Sequence, residues 1–274
     1  MSPADRRIIR ITDPDDSRVA GFRQIRERDL VGREGRFIAE GTVVLRMLAR
    51  STAFRADELL VLENRLDGIG DVLALFDADV PVMVCNRTVI DAIAGFPMHR
   101  GVLAIGRAQK PPNLRDAIDR LGDDALVLVC NAISNHDNLG SLFRNAAAFD
   151  VDLVCLDNQC CDPLYRKAIR VSVGAVLSVP YARDAPVATI VQMLADAGFD
   201  LLALSPGAGV PLGKVRTGRR TALIVGTEGE GLPQALLERL DTVRIEQARE
   251  LDSLNVATAA AIALHCVALA QGRL

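Results

Sequence analysis

The chain contains few aromatic residues. Only 4% of its 274 residues are aromatic, with no Trp, two Tyr and eight Phe. Proteins that bind several unpaired bases stack them on aromatic side chains, so this composition argues against that mode of binding. Any nucleic acid would be held mainly through its backbone.

Metal-ligating and disulfide patterns are also lacking. The chain has six Cys and three His, and no two Cys are spaced as C-x-x-C. This spacing predicts neither a zinc site nor a disulfide framework. Thiols in apolar segments are typical of a reducing compartment, and we expect no bound metal. The cysteines are Cys85, Cys130, Cys155, Cys160, Cys161 and Cys266.

No segment has the character of a signal peptide or a membrane span. Residues 1–10 carry three Arg and no apolar run. The longest uncharged stretch, 253–271, is rich in Ala and is interrupted by Asn255, Thr258 and His265. It predicts a buried helix, because a span needs about 20 predominantly apolar residues. We therefore expect a cytoplasmic protein that does not contact a membrane.

The remaining composition is that of an ordinary globular protein with two domains. Half of the residues are hydrophobic, 24% are charged, and the net charge is -3. Strand-like and helix-like segments alternate along the chain, which predicts an α/β fold with a mainly parallel sheet in each half. In the first half we predict strands at 36–40, 58–62, 80–85 and 101–106, and helices at 17–30, 42–49 and 69–76.

A linker is predicted at Lys110-Pro111-Pro112-Asn113, since two consecutive prolines interrupt regular structure. It divides the chain into domains 1–112 and 113–274, with net charges of +1 and -4. The first domain is the better candidate for binding a polyanion, although such a small bias is also typical of a solvated surface.

In the second domain we predict strands at 125–130, 152–156, 200–204, 222–225 and 242–245, and helices at 141–149, 164–171, 187–197, 233–240 and 254–270.

Three loops that follow strands of the second domain carry unusual residues. The first, NAISNHDNLGSLFR (131–144), enters a helix that bears Arg144. Free peptide N–H groups at a helix start attract anions, and Arg144 lies close by. An ordinary capped helix with a surface Arg has the same pattern.

The second loop, IVGTEGEGLP (224–233), places three Gly around Glu228 and Glu230. Glycine permits close backbone approach to a ligand, but the loop lacks the Lys and the hydroxyl residue of a phosphate-binding P-loop. The third loop leads from Ile245 into the Ala-rich helix. Ser253 there fits an N-cap, whereas the propensity of Asn255 for a first helical turn is low.

Taken together and in this order, the three loops resemble the SpoU/TrmH-type RNA ribose 2′-O-methyltransferases of the SPOUT superfamily. The first motif of that family is matched by Asn138-Leu139-Gly140 with the helix of Arg144, the second by 226–232, and the third by Ser253-Leu254-Asn255-Val256. The segment 161–176 and, more loosely, 36–41 and 99–101 are also similar to the family. The similarity covers residues 20–274.

The resemblance implies a C-terminal trefoil-knot domain that binds S-adenosyl-L-methionine, preceded by a smaller α/β RNA-binding domain of ribosomal-protein type. It also implies a homodimer formed through the knot region, in which Arg144 acts at the partner's cofactor. Gly226, Ile245 and Leu254 would contact the cofactor. The implied catalytic set is Asn138, Arg144, Glu228, Ser253 and Asn255.

The implied reaction is methylation of a ribose 2′-hydroxyl in structured rRNA or tRNA. The sequence departs from the family at Asn135-His136, at Asp150 and at Glu246-Gln247. These departures concern the substrate and the loop shape more than the cofactor. Two alternatives remain: a non-catalytic RNA-binding protein with this fold, and a nucleotide-dependent enzyme of doubly wound type. The second lacks support, because no G-x-G-x-x-G follows the strand that ends at Cys130.

Overall fold

The computed structural model describes residues 7–23, 35–109, 113–227, 229–248 and 252–274. These residues form two units. One contains the described parts of Met1–Lys110 together with Leu164–Ser178, and the other contains those of Pro111–Pro163 and Val179–Leu274. The segment 164–178 therefore belongs to the first unit although it lies in the second half of the sequence.

The first unit contains a five-stranded mixed sheet in the order β1-β4-β3-β5-β2. Strand β5 runs antiparallel to β2 and β3, while β4 runs parallel to β1 and β3. The prediction of a mainly parallel sheet is wrong here. Alternating strands and helices do not determine the direction of a strand, because direction depends on the neighbour with which it pairs. The strands are β1 Ile8–Ile11, β2 Arg36–Glu40, β3 Phe54–Leu62, β4 Val82–Cys85 and β5 Val102–Ala108.

Helices cover the two faces of this sheet. They are α1 Thr42–Arg50, α2 Gly70–Leu73 and α3 Arg87–Ala94, with 3-10 segments at Ser17–Phe22 and Glu63–Ile69. The sequence did not predict β1 or α3. The predicted helix 17–30 begins as the first 3-10 segment, and its residues beyond 23 lie outside the described residues. The predicted helix 69–76 is shorter: the 3-10 segment ends at Ile69, and the helix itself ends at Leu73.

The second unit contains a parallel sheet of seven strands in the order β10-β12-β9-β11-β6-β7-β8. Every residue of β6 is buried, and so is every residue of β7. Such strands have apolar residues on both faces because helices cover both sides of a parallel sheet. The strands are β6 Ala125–Cys130, β7 Leu153–Asp157, β8 Tyr181–Ala185, β9 Asp200–Leu204, β10 Val210–Pro211, β11 Arg220–Val225 and β12 Asp241–Arg244.

Five helices pack in this unit. They are α4 Leu114–Asp119, α5 His136–Ala148, α7 Val187–Asp196, α8 Gln234–Leu237 and α9 Val256–Ala270. Strand β8 and helix α4 were not predicted, and α8 is shorter than its prediction. No helix in the described part of the chain has both the length and the apolar character needed to cross a membrane.

Helix α6, Arg166–Val171, lies in the segment that joins the first unit. Arg166 donates to the carboxylate of Glu40 at 2.9 Å, and its guanidinium lies 4.5 Å from the ring centroid of Phe96. Glu40 is buried, so this pair anchors α6 to the end of β2.

Candidate active site

A cavity of about 390 Å³ opens at the carboxyl ends of three adjacent parallel strands, β12, β9 and β11. Ligands bind at this edge of open parallel sheets, and the volume is typical of a small-molecule site. The wall comes from the loops after these strands and from the start of α9. It includes Leu204, Ser205, Pro206, Val225, Gly226, Thr227, Gly229, Glu230, Gly231, Leu232, Ile245, Gln247, Ser253, Leu254 and Asn255.

The glycine-rich loop after β11 folds back on itself. Thr227 and Gly231 form a β-bridge, with the Gly231 amide donating to the Thr227 carbonyl at 3.1 Å. A β-carbon on Gly226 would lie 2.5 Å from the Gly231 carbonyl oxygen and 2.6 Å from the Leu232 amide nitrogen. Both are backbone atoms, so only glycine fits at residue 226. Glu228 lies outside the described residues.

The N-cap of helix α9 is Asn255. Its side-chain oxygen accepts hydrogen bonds from the amides of Ala257 at 3.0 Å and Thr258 at 3.3 Å. The prediction of Ser253 as the N-cap is therefore wrong. Asn caps a helix as well as Ser does, and the cap at Asn255 leaves Ser253 and Leu254 ahead of the helix, where they line the cavity.

Two side-chain amides join α9 to α5. The amide nitrogen of Asn255 donates to the side-chain oxygen of Asn138 at 2.9 Å. Asn145, two turns further along α5, donates to the Ala257 carbonyl at 2.7 Å. Asn138 is only 8% exposed. Asn255 therefore gives a hydrogen bond to a buried acceptor and also accepts hydrogen bonds from the first amides of α9. The first and third sequence motifs thus meet in a direct contact.

The three residues predicted to contact a cofactor, Gly226, Ile245 and Leu254, all line the cavity. Ser253 and Asn255 line it as well. The sequence interpretation missed Leu204, Ser205 and Pro206. Their signal was present, because they directly follow the predicted strand 200–204 and the ligand site was expected where strands end.

Arg144 lies apart from this group. It is exposed on α5 and is not part of the cavity wall. Among the described residues it makes no hydrogen bond or ion pair. It precedes Asn145, which contacts α9, and therefore lies beside the α5–α9 contact.

The buried thiols near the end of β6 and β7 are unreactive. Burial raises the pKa of Cys155 and of Cys160 to about 12, and it raises the pKa of Cys130 well above its usual value. A thiol in this state is not a nucleophile at neutral pH. Within the described residues, no three His, Cys, Asp or Glu side chains are grouped as a metal site would require.

The comparisons with known proteins agree with this geometry. Residues 125–265 match the model of the SpoU rRNA Methylase family, and a tRNA/rRNA methyltransferase of Mycobacterium bovis is 41% identical over 93% of this chain and 90% of its own length. The chain belongs to the SpoU rRNA methylase family. The matched range contains β6, the cavity and most of α9.

Two further relatives of this SpoU family member extend over most of the chain. The 23S rRNA (guanosine-2′-O-)-methyltransferase of Escherichia coli is 29% identical over 77% of this chain and 88% of its own length. The AdoMet-bound rRNA methyltransferase of Sinorhizobium meliloti has the same fold, with a TM-score of 0.80 at 24% identity over 97% of this chain and 98% of its own. The chain is thus an α/β protein from a family of RNA methyltransferases.

Proposed function

We propose that this protein transfers a methyl group from S-adenosyl-L-methionine to a ribose 2′-hydroxyl of rRNA or tRNA. The observation that carries the proposal is the cavity at the ends of β12, β9 and β11. Gly226, Ile245 and Leu254 come from three separate loops and line this one space. The family of the chain and the printed activity of the E. coli relative support the same reaction.

The cavity suits the cofactor in shape and in chemistry. Apolar side chains such as Leu204, Ile245 and Leu254 can cover a flat adenine ring, while the tight loop at Gly226 exposes peptide groups to it. The carboxylate of Glu230 lies on the wall, where it favours a positively charged sulfonium. In this proposal the loops after β11 and β12 belong to the trefoil knot of the SPOUT superfamily.

The cofactor supplies an activated methyl group. Held by Gly226, Ile245 and Leu254, it would give its methyl group from sulfur to the ribose 2′ oxygen, and the hydroxyl proton would go to a neighbouring phosphate or to solvent. Alignment of these atoms contributes most of the rate in such a displacement. We assign this alignment to Asn138, Ser253 and Asn255, together with Glu228.

Arg144 takes the electrostatic role. A guanidinium stays protonated under nearly all protein conditions, so it is a poor general base. It can bind a phosphate with two parallel hydrogen bonds and stabilise the developing alkoxide. Its exposure and its lack of a partner among the described residues leave it available for RNA.

The active form in this proposal is a homodimer. Helix α9 is apolar on nearly all sides, yet Ile262 and Leu269 are 38% and 52% exposed. A helix of this kind is normally buried all round, and a second copy of α5 and α9 would cover it. Arg144 lies beside this surface and would act at the cofactor of the partner, which explains its distance from the cavity in its own chain.

The first domain, 1–112, is assigned RNA binding in this proposal, and 113–274 methyl transfer. The segment 164–178 packs with the first unit. An rRNA or tRNA substrate places the reaction in the cytoplasm.

The reaction is tested by incubating the protein with methyl-labelled S-adenosylmethionine and total RNA from a strain that lacks it. We expect label in the RNA and saturable cofactor binding in calorimetry. Absence of cofactor binding would favour a non-catalytic RNA-binding protein instead.

The role of Arg144 is tested by Arg144→Lys, which keeps the charge and removes the paired hydrogen bonds. We expect a loss of about 100-fold or more in turnover, comparable with removal of one transition-state donor, and unchanged affinity for the cofactor. Turnover close to that of the unchanged protein at neutral pH would contradict a two-bond contact to phosphate.

A further inference from the structure

The first unit contains a second cavity, which the reaction described above does not use. It has a volume of about 540 Å³ and lies where β2 ends and β5 begins. Its wall is formed by the start of α1, the 3-10 segment after β3, the turn before β5 and one residue of the segment 164–178. The lining residues are Gly41, Thr42, Val43, Asn64, Arg65, Gly68, Ile69, His99, Arg100, Val102 and Val173.

The charged groups on this wall are all basic. Arg65, His99 and Arg100 line the cavity and are exposed, and no Asp or Glu is among the described residues that line it. Arg65 and His99 make no hydrogen bond or ion pair within the described chain. The nearby carboxylate of Glu40 is already paired with Arg166. Two guanidinium groups and no carboxylate of the described residues thus line the cavity, although the protein carries a net charge of -3.

The turn geometry directs Arg100 toward this space. Gly41 has a φ of +91°, and a β-carbon there would lie 2.8 Å from Cδ of Arg100. The absence of a side chain at Gly41 lets Arg100 lie across it and donate to the Glu40 carbonyl at 3.3 Å. Gly41 is also the N-cap of α1 and offers no side-chain cap. The first peptide N–H groups of α1 thus face the same cavity as the guanidinium groups and add to its preference for an anion.

The remaining lining of the cavity includes apolar side chains. Val43 is 53% exposed and Val173 is 36% exposed, while Ile69 and Val102 form a buried floor. Val173 has a φ of +55°, a left-handed conformation that is strained for a β-branched residue. Strained residues of this kind concentrate at functional sites.

Contacts of neighbouring residues keep the backbone of Val173 in this conformation. Gly174, with a φ of +87°, packs so closely on α1 that a β-carbon would lie 3.1 Å from Cγ of Met47. The ion pair of Arg166 with the buried Glu40 fixes the same segment to β2. Val173 is thus positioned on the cavity wall by contacts on both sides of it.

We propose that this cavity binds one nucleotide of the RNA substrate, at a position separate from the methylated ribose. Its phosphate would contact Arg65, Arg100 and the start of α1, and its base or sugar would lie against Val43 and Val173. The proposal rests on the proposed function, since it names where that substrate is held. It is consistent with the scarcity of aromatic residues, because aliphatic side chains replace stacking rings.

The test compares Arg65→Gln with Arg50→Gln. Both variants remove one exposed arginine from the first unit, but Arg50 is the last residue of α1 and lies about 12 Å along the helix from its start. The RNA probe is purified rRNA or tRNA, whichever fraction the unchanged protein methylates or, failing methylation, binds more tightly. Equilibrium binding is measured by filter retention at several salt concentrations.

For Arg65→Gln we expect RNA affinity to fall about tenfold and the slope of log K against log salt to fall by about 0.7–0.9, as for one lost phosphate contact. Arg50→Gln should match the unchanged protein. In methylation assays Arg65→Gln should raise the KM for RNA, with kcat and cofactor affinity unchanged. A second variant, Val173→Gly, relieves the backbone strain and removes the apolar wall, and it should also weaken RNA binding.

Equal affinities and salt slopes for Arg65→Gln and Arg50→Gln would overturn the proposal. Binding of free nucleoside monophosphate to the cavity, with RNA affinity unchanged in Arg65→Gln and Val173→Gly, would also overturn it. These results are distinct from a failure of the proposed function. If no methyl transfer occurs, the RNA-binding comparison still decides whether the cavity is used; if the cavity is not used, methylation proceeds with an unchanged KM.

Discussion

Among single residues, Gly226 determines the shape of the glycine-rich loop after β11. A β-carbon there would contact the backbone of Gly231 and Leu232 at 2.5–2.6 Å, and backbone cannot move aside cheaply. We expect Gly226→Ala to lower the affinity for S-adenosylmethionine by about tenfold or more, because the loop must open. Calorimetric titration measures this.

The matched control is Gly207→Ala in the loop after β9. A β-carbon on Gly207 would have no neighbouring atom within 4 Å, and the φ of Gly207 is not positive. Its substitution should leave cofactor affinity unchanged. Equal affinity losses in both variants would show that the close approach at Gly226 is not the cause.

Asn255 and Ser253 are two positions apart, but only Asn255 caps α9. Asn255→Ala removes a helix cap and leaves the buried oxygen of Asn138 without its donor. We expect the free energy of unfolding to fall by about 1–3 kcal/mol. Ser253→Ala should change it by less than about 0.5 kcal/mol, since Ser253 precedes the cap. Urea unfolding of both variants gives the comparison, and an equal cost would contradict the assignment of the cap to Asn255.

At the scale of secondary-structure elements, α9 has an apolar surface that its own chain leaves exposed. Ile262 and Leu269 lie on that surface. We expect the double substitution Ile262→Glu, Leu269→Glu to convert a dimer into a monomer, because two carboxylates would be desolvated in the contact. Light scattering after gel filtration measures the mass. A dimer that persists in the variant would place the contact elsewhere.

The position of Arg144 on α5 leads to a second prediction at this scale. If Arg144 serves the partner's cofactor site, a chain with Arg144→Ala and a chain with Gly226→Ala form one complete site in a mixed dimer. An equal mixture that has exchanged subunits should regain about a quarter of full activity, since half of the dimers are mixed and each has one working site. Activity that stays at the level of the separate variants would mean that Arg144 acts within its own chain.

Across the whole molecule, the sequence predicted those elements whose structure depends on residues close in sequence or whose residues are uniformly buried. Strands β6 and β9 were predicted to the residue. For β6 the reason is that an apolar run buried on both faces has clear ends. The loops predicted to bind the cofactor were expected at one edge of the sheet, since parallel strands end on the same side. Gly226, Ile245 and Leu254 do lie together there.

Features that depend on long-range pairing could not be predicted. The antiparallel direction of β5 is set by its pairing with β2 and β3. The packing of the segment 164–178 with the first unit depends on the pair of Arg166 with Glu40, which are 126 residues apart in sequence. The choice of Asn255 over Ser253 as a cap depends on Asn138, on a different helix. None of these contacts leaves a periodic signal in the sequence.

Methyl transfer to the ribose 2′ oxygen is tested by the position of the label in the product. RNA from a strain that lacks the protein is methylated with labelled S-adenosylmethionine, digested to nucleosides and analysed by mass spectrometry. We expect label in one 2′-O-methylnucleoside and a phosphodiester at that site that resists alkali, because the methylated 2′ oxygen can no longer attack it. Label on a base, with alkaline cleavage intact at every position, would contradict it.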